Sequence, residues 1–400
     1  NKQLMKIAIL TSGILPVPAV RGGAVENLID FYLEYNEVHH LHDITVYSID
    51  DQQVHGHRAL TSRNNHYHFI KTDTLGAKIC KKMYHLFNRK NEYYNYNIEY
   101  FLYKSIKHIR RNHYDAIILE NRPGYALKLK KLTDSKLIYH LHNDNLNSNT
   151  YKSQELYHLA TSIITVSDYI RMRILTINVS DSKSVVVHNG IDLSSFSHCN
   201  KLLYERKDFG ISEGDFIVVF SGRIKEEKGI LQLITAFHKL TKYSKIKLLI
   251  VGGSFYGRNK DDNMFVKKLK EKAYNIQDKI IFTGFKPYHD VPSILALADV
   301  AVLPSIWNEP FGLTLVEAMA MGLPIVSTSQ GGIPEVLTPD CSIVLDKNDQ
   351  LPDNIATSIL SLYNNPKQRA KMSEASIKQS KLFDKEQCAK KFFAVIDRYS

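Results

Sequence analysis

The chain has 400 residues, of which 44% are hydrophobic and 23% are charged, and its formal net charge is +11. This composition excludes a disordered chain, and the length predicts two large domains, because a single core rarely grows beyond about 250–300 residues. The positive charge favours an anionic partner, such as a nucleotide diphosphate, an acidic lipid surface or nucleic acid, without choosing among them.

The cysteines are scattered and form no C-x-x-C pair for zinc or redox chemistry; they are Cys80, Cys199, Cys341 and Cys388. Every apolar run is shorter than the about 20 residues that a membrane-spanning helix needs. The apolar opening stretch is interrupted by Gly13, Pro16 and Pro18, which argues against a signal peptide. We therefore expect a reduced, cytoplasmic location.

Short β-branched runs alternate with amphipathic stretches, which is typical of parallel strands joined by crossover helices. The predicted strands of the first half are KIAIL, DITVYSI, YDAIILE, KLIYHL and SIITVS, and a helix is predicted from GGAVENLIDFYLEY. The strands of the second half are DFIVVFSG, IKLLIVGG, KIIFTG, VAVLPS and LPIVSTS.

A polar, turn-rich stretch separates the two series, so we place the hinge near 194–200. The predicted fold is α/β, with two facing Rossmann-like, doubly wound domains at 1–195 and 196–400. The last helix is expected to be able to pack back on the first domain. Because ligands bind beyond the carboxyl ends of such strands, the cleft between the domains is the expected site.

Arg223 and Lys228 are among the cations that follow the first strand of the second domain, in FIVVFSGRIKEEKGILQLITAFHKL. Arg223 and Lys228 lie between the carboxyl end of this strand and a helix predicted to begin near Gly229, where free N–H groups also favour anions. The spacing is not that of a Walker loop. A diphosphate suits this corner, and solvated turn charges are the alternative.

A pair of carboxylates surrounds another predicted helix start, in NEPFGLTLVEAMAMGLPIVSTSQGG. The helix should begin around 312–314 and offer N–H groups to a phosphate oxygen. Glu309 and Glu317 would repel a diphosphate, so they suit the hydroxyl groups on either side of it, one on a ribose and one on a transferred sugar. A glycosidase also needs two carboxylates but has no use for Arg223 and Lys228.

Five motifs carry a family resemblance: RGGAVE at 21–26, YHLHND at 139–144, VVHNGID at 186–192, SGRIKEEKG at 221–229, and the Glu, seven residues, Glu pattern of EPFGLTLVE. On these motifs the chain resembles a retaining glycosyltransferase of family four with the GT-B fold, over nearly its whole length. The last two motifs together are specific, whereas RGGAVE alone is weak.

The resemblance implies a role for each motif residue of the second domain, which would bind the nucleotide sugar. Arg223 and Lys228 would hold the donor diphosphate, Glu309 would lie against the donor sugar, and Glu317 would bind the ribose. The remaining donor contacts would be Phe311, Gly312, Leu313 and Thr314 at the helix start, and the backbone of Phe285 and Lys286 against the base.

In the first domain, which would bind the acceptor, the resemblance implies that Gly22 and Gly23 form a loop beneath the diphosphate and acceptor. Plain turn geometry is the alternative for these glycines. His142 matches the family histidine near the anomeric centre, although His140 lies two residues away on the same face of a strand. We predict that His142 is the site residue.

The resemblance further implies transfer of a hexose-type sugar, with retention, from a UDP-sugar to a glycan or glycolipid in bacterial surface polysaccharide synthesis. We expect no metal or other cofactor, because no D-x-D motif follows a strand. VHHLHD at 38–43 is a weak zinc candidate that a helix end followed by a strand also explains. The rival functions are a non-catalytic nucleotide-sugar-binding module and a nicotinamide oxidoreductase, the latter suggested by LLIVGGSFYG, which lacks G-x-G-x-x-G.

Cations and aromatic residues alternate over 78–115, where one or two helices are predicted. Such helices can lie on an anionic membrane, and an ordinary helix pair with its aromatic residues in the core is the alternative. We predict peripheral attachment to the inner face of the cell membrane and no nucleic-acid partner. The cations expected to contribute are Lys78, Lys81, Lys82, Arg89 and Lys90.

Overall fold

The structure, a computed structural model, describes residues 4–87, 96–197, 202–253 and 264–400. The chain divides into two units. One comprises the described residues up to Asn189 together with those from Glu386 onward, and the other runs from Gly190 to Lys385.

The described part of the first unit contains a parallel sheet of seven strands in the order β3-β2-β1-β4-β5-β6-β7. The strands are β1 Lys6–Leu10, β2 Asp43–Ile49, β3 Asn65–Ile70, β4 Ala116–Glu120, β5 Lys136–Leu141, β6 Ser162–Thr165 and β7 Ser184–Val186. The helices are α1 Ala24–His39, α2 Leu75–Phe87, α3 Tyr96–Ile109, α4 Ala126–Leu129, α5 Ser153–Leu159 and α6 Asp168–Leu175.

The described part of the second unit contains a parallel sheet of six strands in the order β10-β9-β8-β11-β12-β13. The strands are β8 Phe216–Ser221, β9 Ile246–Val251, β10 Ile280–Gly284, β11 Val300–Leu303, β12 Ile325–Thr328 and β13 Ser342–Leu345. The helices are α7 Ile230–His238, α8 Met264–Ala273, α9 Val291–Leu295, α10 Leu313–Ala320, α11 Ile333–Val336, α12 Leu351–Asn364 and α13 Pro366–Ser380.

In both units the chain starts in the middle of the sheet, winds outward to one edge, returns and winds to the other. This is the doubly wound order, and it confirms the predicted fold class. The central strands are covered on both faces, so β4 (AIILE) and β8 (FIVVFS) are buried along their whole length.

The two units separate after Asn189, whereas the sequence placed the boundary after residue 195. The segment that follows Asn189 belongs to the second unit because it forms a backbone bridge and an ion pair with residues at the C-terminal end of that unit. Ile191 forms a parallel bridge with Asp384, and Lys385 Nζ lies 3.0 Å from Asp192 Oδ2.

The final helix, α14 Lys385–Ile396, packs into the core of the first unit. The ring of Phe392 stacks on that of Tyr32 with their centroids 4.0 Å apart. The other α14 side chains in this core are Cys388, Ala389, Phe393, Val395 and Ile396.

The region predicted to contact a membrane forms α2 and α3, and its residues 88–95, including Arg89 and Lys90, lie outside the described residues. Tyr100 and Phe101 of α3 are buried. None of the described helices combines the length and apolar composition that a membrane span requires.

Candidate functional site

The turn between β8 and α7 is held close to the segment that follows β11. Gly229 precedes α7 with φ 74°, and a Cβ atom there would lie 1.9 Å from the carbonyl oxygen of Pro304. The backbone N–H of Ile306 donates to the carbonyl of Glu227 at 2.9 Å. Only glycine fits this approach, which fixes the neighbouring Lys228 beside the end of β11.

Lys228 and Glu309, predicted on separate motifs, form one ion pair. Lys228 Nζ lies 2.6 Å from Glu309 Oε1, and their side chains are only 21% and 12% exposed. The hydroxyl of Ser305 donates to the same oxygen at 2.8 Å, and the N–H of Gly332 donates to the Glu309 carbonyl at 2.7 Å. An anion that approaches Lys228 must therefore share it with Glu309.

The amino end of α10 lies beside the β8 turn. The Cγ2 atom of Thr314 is 3.8 Å from where a Cβ of Gly222 would stand, and the exposed Arg223 follows directly. α10 begins at Leu313, as predicted, and no side chain caps it, because Gly312 (φ 105°) occupies the cap position. The first-turn N–H groups and the cation are thus suited to one anion.

Phe311, the residue before this cap, is buried and packs edge-on against Phe383, with ring centroids 5.5 Å apart. Its side chain anchors the helix start in the core. Any contact it makes with a ligand would therefore come from its backbone.

Glu317 is buried on α10 and accepts a hydrogen bond from the hydroxyl of Tyr288 at 2.9 Å. Burial raises its pKa to about 7, although the Tyr288 hydrogen bond opposes the rise. Burial and the adjacent Glu317 also raise the pKa of the Tyr288 hydroxyl. The carboxyl group therefore changes its ionisation close to neutral pH.

Phe285 and Lys286 lie directly after β10, on the loop that carries Tyr288. The ammonium of Lys286 lies over two aromatic rings, 4.7 Å from the centroid of Tyr204 and 5.6 Å from that of Phe209. This cation–π contact directs the Lys286 side chain towards the two rings. The predicted contact with the nucleotide base would therefore come from the Lys286 backbone.

In the first unit, two histidines share one buried carboxylate, that of Glu120 at the end of β4. Its Oε2 lies 3.0 Å from Nδ1 of His140 and 2.8 Å from Nε2 of His142. Burial alone would raise the pKa of Glu120, but the two imidazoles outweigh it and lower the pKa to about 2. Glu120 is therefore ionised and accepts an N–H from each ring.

The same arrangement fixes the tautomers of both rings. Burial and the neighbouring His140 lower the pKa of His142 to about 4, so its imidazole is neutral at pH 7. Nδ1 of His142 and Nε2 of His140 are buried and have no hydrogen-bond partner among the residues that the structure describes. His140 packs against the rings of Tyr32 and Phe392, whereas His142 follows the strand end.

The glycines of RGGAVE are required by local geometry in this unit. Gly22 has φ 73° and Gly23 has φ 113°. A Cβ on Gly23 would lie 2.1 Å from the carboxylate of Glu26, whose pKa burial raises to about 7. The turn-geometry interpretation therefore holds at both positions, and a ligand contact stays a prediction.

In the second unit Lys228 pairs with Glu309, and Thr314 lies beside the turn that carries Arg223, whereas Gly22, Gly23 and His142 lie in the first unit. Sequence reasoning missed Glu120, Ser305 and Tyr288. The one available signal was Glu120, an acid that ends an otherwise apolar strand.

Two groups of histidines bear on metal binding. The ligand atoms of Glu120, His140 and His142 all lie within 4.8 Å of one another, so this group could hold an ion. In the proposed zinc segment, by contrast, His42 is buried and its Nε2 lies 3.0 Å from Asp397 Oδ1. A helix end followed by a strand accounts for that segment.

Two doubly wound units, one with a cation–carboxylate corner at an uncapped helix start, fit the architecture expected of the GT-B fold. Residues 204–379 match the family described as glycosyl transferases group 1, and residues 42–195 match Glycosyltransferase Family 4. The chain belongs to the group 1 glycosyl transferases, with a first domain of the family 4 type.

Similar proteins support this assignment. The putative glycosyltransferase YtcC of Bacillus subtilis is 28% identical over 368 residues, which cover 89% of this chain and 82% of that protein. A lipopolysaccharide 1,2-N-acetylglucosaminetransferase of Salmonella typhimurium is 30% identical over 207 residues, covering 50% of this chain and 51% of that one.

Solved structures share the fold at low identity. Anabaena HepE in complex with UDP and glucose has a TM-score of 0.73 at 19% identity, covering 98% of this chain and 99% of that one. A glycosyltransferase from Rickettsia africae has a TM-score of 0.77 at 18% identity and covers 99% of both chains.

Proposed function

We propose that this glycosyltransferase moves a hexose-type sugar from a UDP-sugar to a hydroxyl group of a glycan or glycolipid, with retention, in bacterial surface polysaccharide synthesis. The observation that carries the proposal is the Lys228–Glu309 pair beside the uncapped start of α10. UDP bound to HepE and the lipopolysaccharide-directed name of the Salmonella relative support the choice of donor and acceptor.

The donor is held by its charge and its hydroxyl groups. Arg223, Lys228 and the N–H groups of α10 bind the diphosphate, because each adds positive potential at one corner. Glu309 releases part of its bond to Lys228 and accepts from hydroxyls of the transferred sugar. Glu317 accepts from the ribose, in place of or together with the Tyr288 hydroxyl.

The reaction breaks the bond between the anomeric carbon and the diphosphate oxygen. The oxocarbenium-like sugar is attacked by the acceptor oxygen on the face that the diphosphate leaves, and the acceptor proton passes to a phosphate oxygen of the leaving UDP. Arg223 and Lys228 stabilise the negative charge that grows on this phosphate. No enzyme nucleophile is involved, and these cations make a divalent metal unnecessary.

His142 contributes a neutral acceptor. Nε2 of His142 carries the proton and donates it to Glu120 in a hydrogen bond. Nδ1 is therefore available to accept a hydrogen bond from a hydroxyl of the transferred sugar. Because the ring stays neutral above about pH 5, this bond is available over the working range of most enzymes.

The test is a transfer assay with UDP-, GDP- and ADP-sugars on Arg223→Ala and Lys228→Ala. Each change removes a charge preorganised for the leaving diphosphate, so we expect turnover to fall about a hundredfold or more. The control is Lys225→Ala, which removes an exposed cation from the same turn. Near-normal rates in both site variants would exclude the mechanism, and donor binding without turnover in the native chain would favour the non-catalytic module.

Metal independence is measured in the same assay. We expect activity to survive exhaustive treatment with a chelator. Loss that Mg²⁺ or Mn²⁺ restores would show that the cations of the protein do not suffice.

We also propose that α2 attaches the enzyme to an anionic membrane. Four apolar side chains lie on one face of this helix and are more than half exposed; they are Leu75, Ile79, Met83 and Leu86, at 79%, 60%, 54% and 66%. Lys78, Lys81 and Lys82 line a groove with Leu86. An exposed apolar face beside cations is typical of a helix that lies in the headgroup layer.

A further inference from the structure

A pocket of about 330 Å³ lies between the edge strand β3 and helix α3, separate from the side chains assigned above to donor binding. The end of β3 contributes His68 and Lys71. One face of α3 and the turn after it contribute Lys104, Lys107, His108 and Arg111, whose spacing of three and four residues places them side by side.

The charge of this pocket is of one sign. Lys71, Lys104, Lys107 and Arg111 are all cationic, and the lining residues that the structure describes include no carboxylate. Within the described parts of the chain, none of these four residues forms a salt bridge. Like charges gathered without a counterion repel one another, so an anion bound among them would be stabilised.

Two histidines add adjustable charge. The rings of His68 and His108 stack with their centroids 3.9 Å apart and an interplanar angle of 18°. Burial and the adjacent His108 lower the pKa of His68, and burial and Arg111 lower the pKa of His108. Both shifts favour the neutral rings, and each ring would gain a proton more readily beside an anion.

Hydrogen bonds orient this pair. The hydroxyl of Tyr47 lies 2.8 Å from Nδ1 of His108 and 2.8 Å from the hydroxyl of Tyr114. Nδ1 is thus engaged on the side of the core, which leaves Nε2 for the pocket. Hydroxyl groups of Thr74 and Tyr100, 3.3 Å apart, also line the pocket and can donate.

We propose that this pocket binds a phosphoryl or diphosphoryl group. Ammonium, guanidinium and hydroxyl donors around one cavity match the dense charge and many acceptor oxygens of such a group. Two sources share this chemistry, a free phosphate compound and the phosphate of a lipid-linked acceptor. The second source rests on the proposed function, and Thr74 places the pocket next to the start of α2 with its exposed apolar face.

The test follows the ring protons of His68 and His108 by NMR during pH titrations with and without pyrophosphate. The background is Arg223→Gln/Lys228→Gln, which removes the cations of the donor corner, and single His→Gln changes assign the signals. We expect pyrophosphate to move both titration midpoints to higher pH. If other signals of the protein show that pyrophosphate binding is saturated while the midpoints of His68 and His108 have not moved, the proposal is overturned.

Paired charge variants locate the site. Lys104→Gln/Arg111→Gln and, independently, Lys71→Gln/Lys107→Gln should weaken pyrophosphate binding at least about tenfold, because each removes two of four cations. The matched control is Lys130→Gln/Lys131→Gln, which removes two exposed cations of the same unit and should leave the affinity unchanged. If all three double variants bind pyrophosphate equally weakly, the anion is attracted by the overall positive charge and the proposed site is wrong.

The source is distinguished with geranyl diphosphate, a soluble lipid-like diphosphate. Affinity at least about tenfold above that of pyrophosphate, lost in Ile79→Gln/Met83→Gln, assigns the pocket to a lipid-linked phosphate. Equal affinities assign it to free phosphate compounds. The histidine signals report on this pocket whether or not sugar transfer is detected, so failure of the proposed function would be seen separately.

Discussion

Glu317 and Glu120 are both buried carboxyl groups, and their surroundings shift their pKa values in opposite directions, to about 7 and about 2. Glu120 lies between two imidazole N–H groups that stabilise its charge. Among the described residues, the phenol of Tyr288 is the one group that offsets the burial of Glu317. Glu120 is consequently a fixed charge, whereas Glu317 titrates within the physiological range.

Glu317→Gln should become more stable relative to the native chain as pH rises. The folded pKa of about 7 exceeds the ordinary value of 4.5, so the native chain loses stability between these two values as the buried group ionises. The amide avoids that cost, which reaches about 3 kcal/mol above pH 7. Thermal unfolding at several pH values measures the difference, with the exposed Glu374→Gln as control. A difference that shrinks as pH rises would contradict the assignment of the shift.

The same substitution should weaken donor binding, because the ribose hydroxyls would meet a neutral acceptor in place of a charged one. Calorimetric titration with UDP measures this effect. An unchanged affinity would show that Glu317 does not bind the ribose.

Site residues can be proposed from sequence where the residues that would share a ligand are close together along the chain. Arg223 and Lys228 follow a strand and precede a helix, so the prediction that they bind one anion needs no knowledge of the strand order. Glu120 could not be found in this way, because its partner His140 becomes its neighbour only through the pairing register of β4 with β5. A single sequence carries no such register.

Among the elements, the β8–α7 turn depends most on one residue. Gly229→Ala must accept φ 74° and a Cβ 1.9 Å from the carbonyl oxygen of Pro304. The matched control is Gly210→Ala, where φ is 65° and no atom lies within 4 Å of the added carbon. The control should lose roughly 1 kcal/mol, and Gly229→Ala should lose at least about 2 kcal/mol more because the backbone must shift. Chemical denaturation measures both.

Measuring turnover shows whether Gly229→Ala disturbs the site beside Lys228 or only lowers the stability of the protein. Since Lys228 is the adjacent residue, Gly229→Ala should also reduce turnover at least about tenfold, while Gly210→Ala retains it. Equal losses in both variants would mean that the Pro304 contact is unimportant.

Helix α2 should bind vesicles that contain anionic lipid, in a salt-sensitive manner. Each lysine near an anionic surface contributes about 1 kcal/mol, so Lys78→Gln/Lys82→Gln should weaken co-sedimentation more than Lys130→Gln/Lys131→Gln. Leu75→Gln/Ile79→Gln should weaken it at high and low salt alike, because the apolar face is insensitive to screening. Equal, negligible binding to anionic and neutral vesicles at low salt would remove the membrane proposal and leave the transferase assignment intact.

The strands predicted from sequence lie inside the two sheets, apart from the edge strand β10. The predicted strands of both halves correspond to β1, β2, β4, β5, β6 and β8 to β12. The three strands missed, β3, β7 and β13, all lie at sheet edges. Edge strands need fewer apolar residues, and NHYHFI of β3 is short, with two histidines and an asparagine among its six residues.

At the scale of the whole molecule, the first unit depends on a helix from the far end of the chain. Deleting 386–400 removes Phe392 and Phe393 from its core, each worth about 3–5 kcal/mol, against a typical total stability of about 5–15 kcal/mol. Hydrogen exchange should therefore show lost protection in β1 to β6 and retained protection in β8 to β12. Lys390→Gln/Lys391→Gln, on the exposed side of α14, should preserve both. Retained protection in β1 to β6 after the deletion would contradict this dependence.

The chain leaves the first unit after Asn189 and returns to it only after Lys385, and this path sets an order of assembly on the ribosome. The second unit is continuous and can fold as soon as its residues emerge. The surface of the first unit around Tyr32 must wait for α14, which at translation rates of about 5–20 residues per second is a delay of about ten to forty seconds. The half of the enzyme that is made first is therefore completed last, and a nascent chain stalled before α14 would present an open apolar core to chaperones.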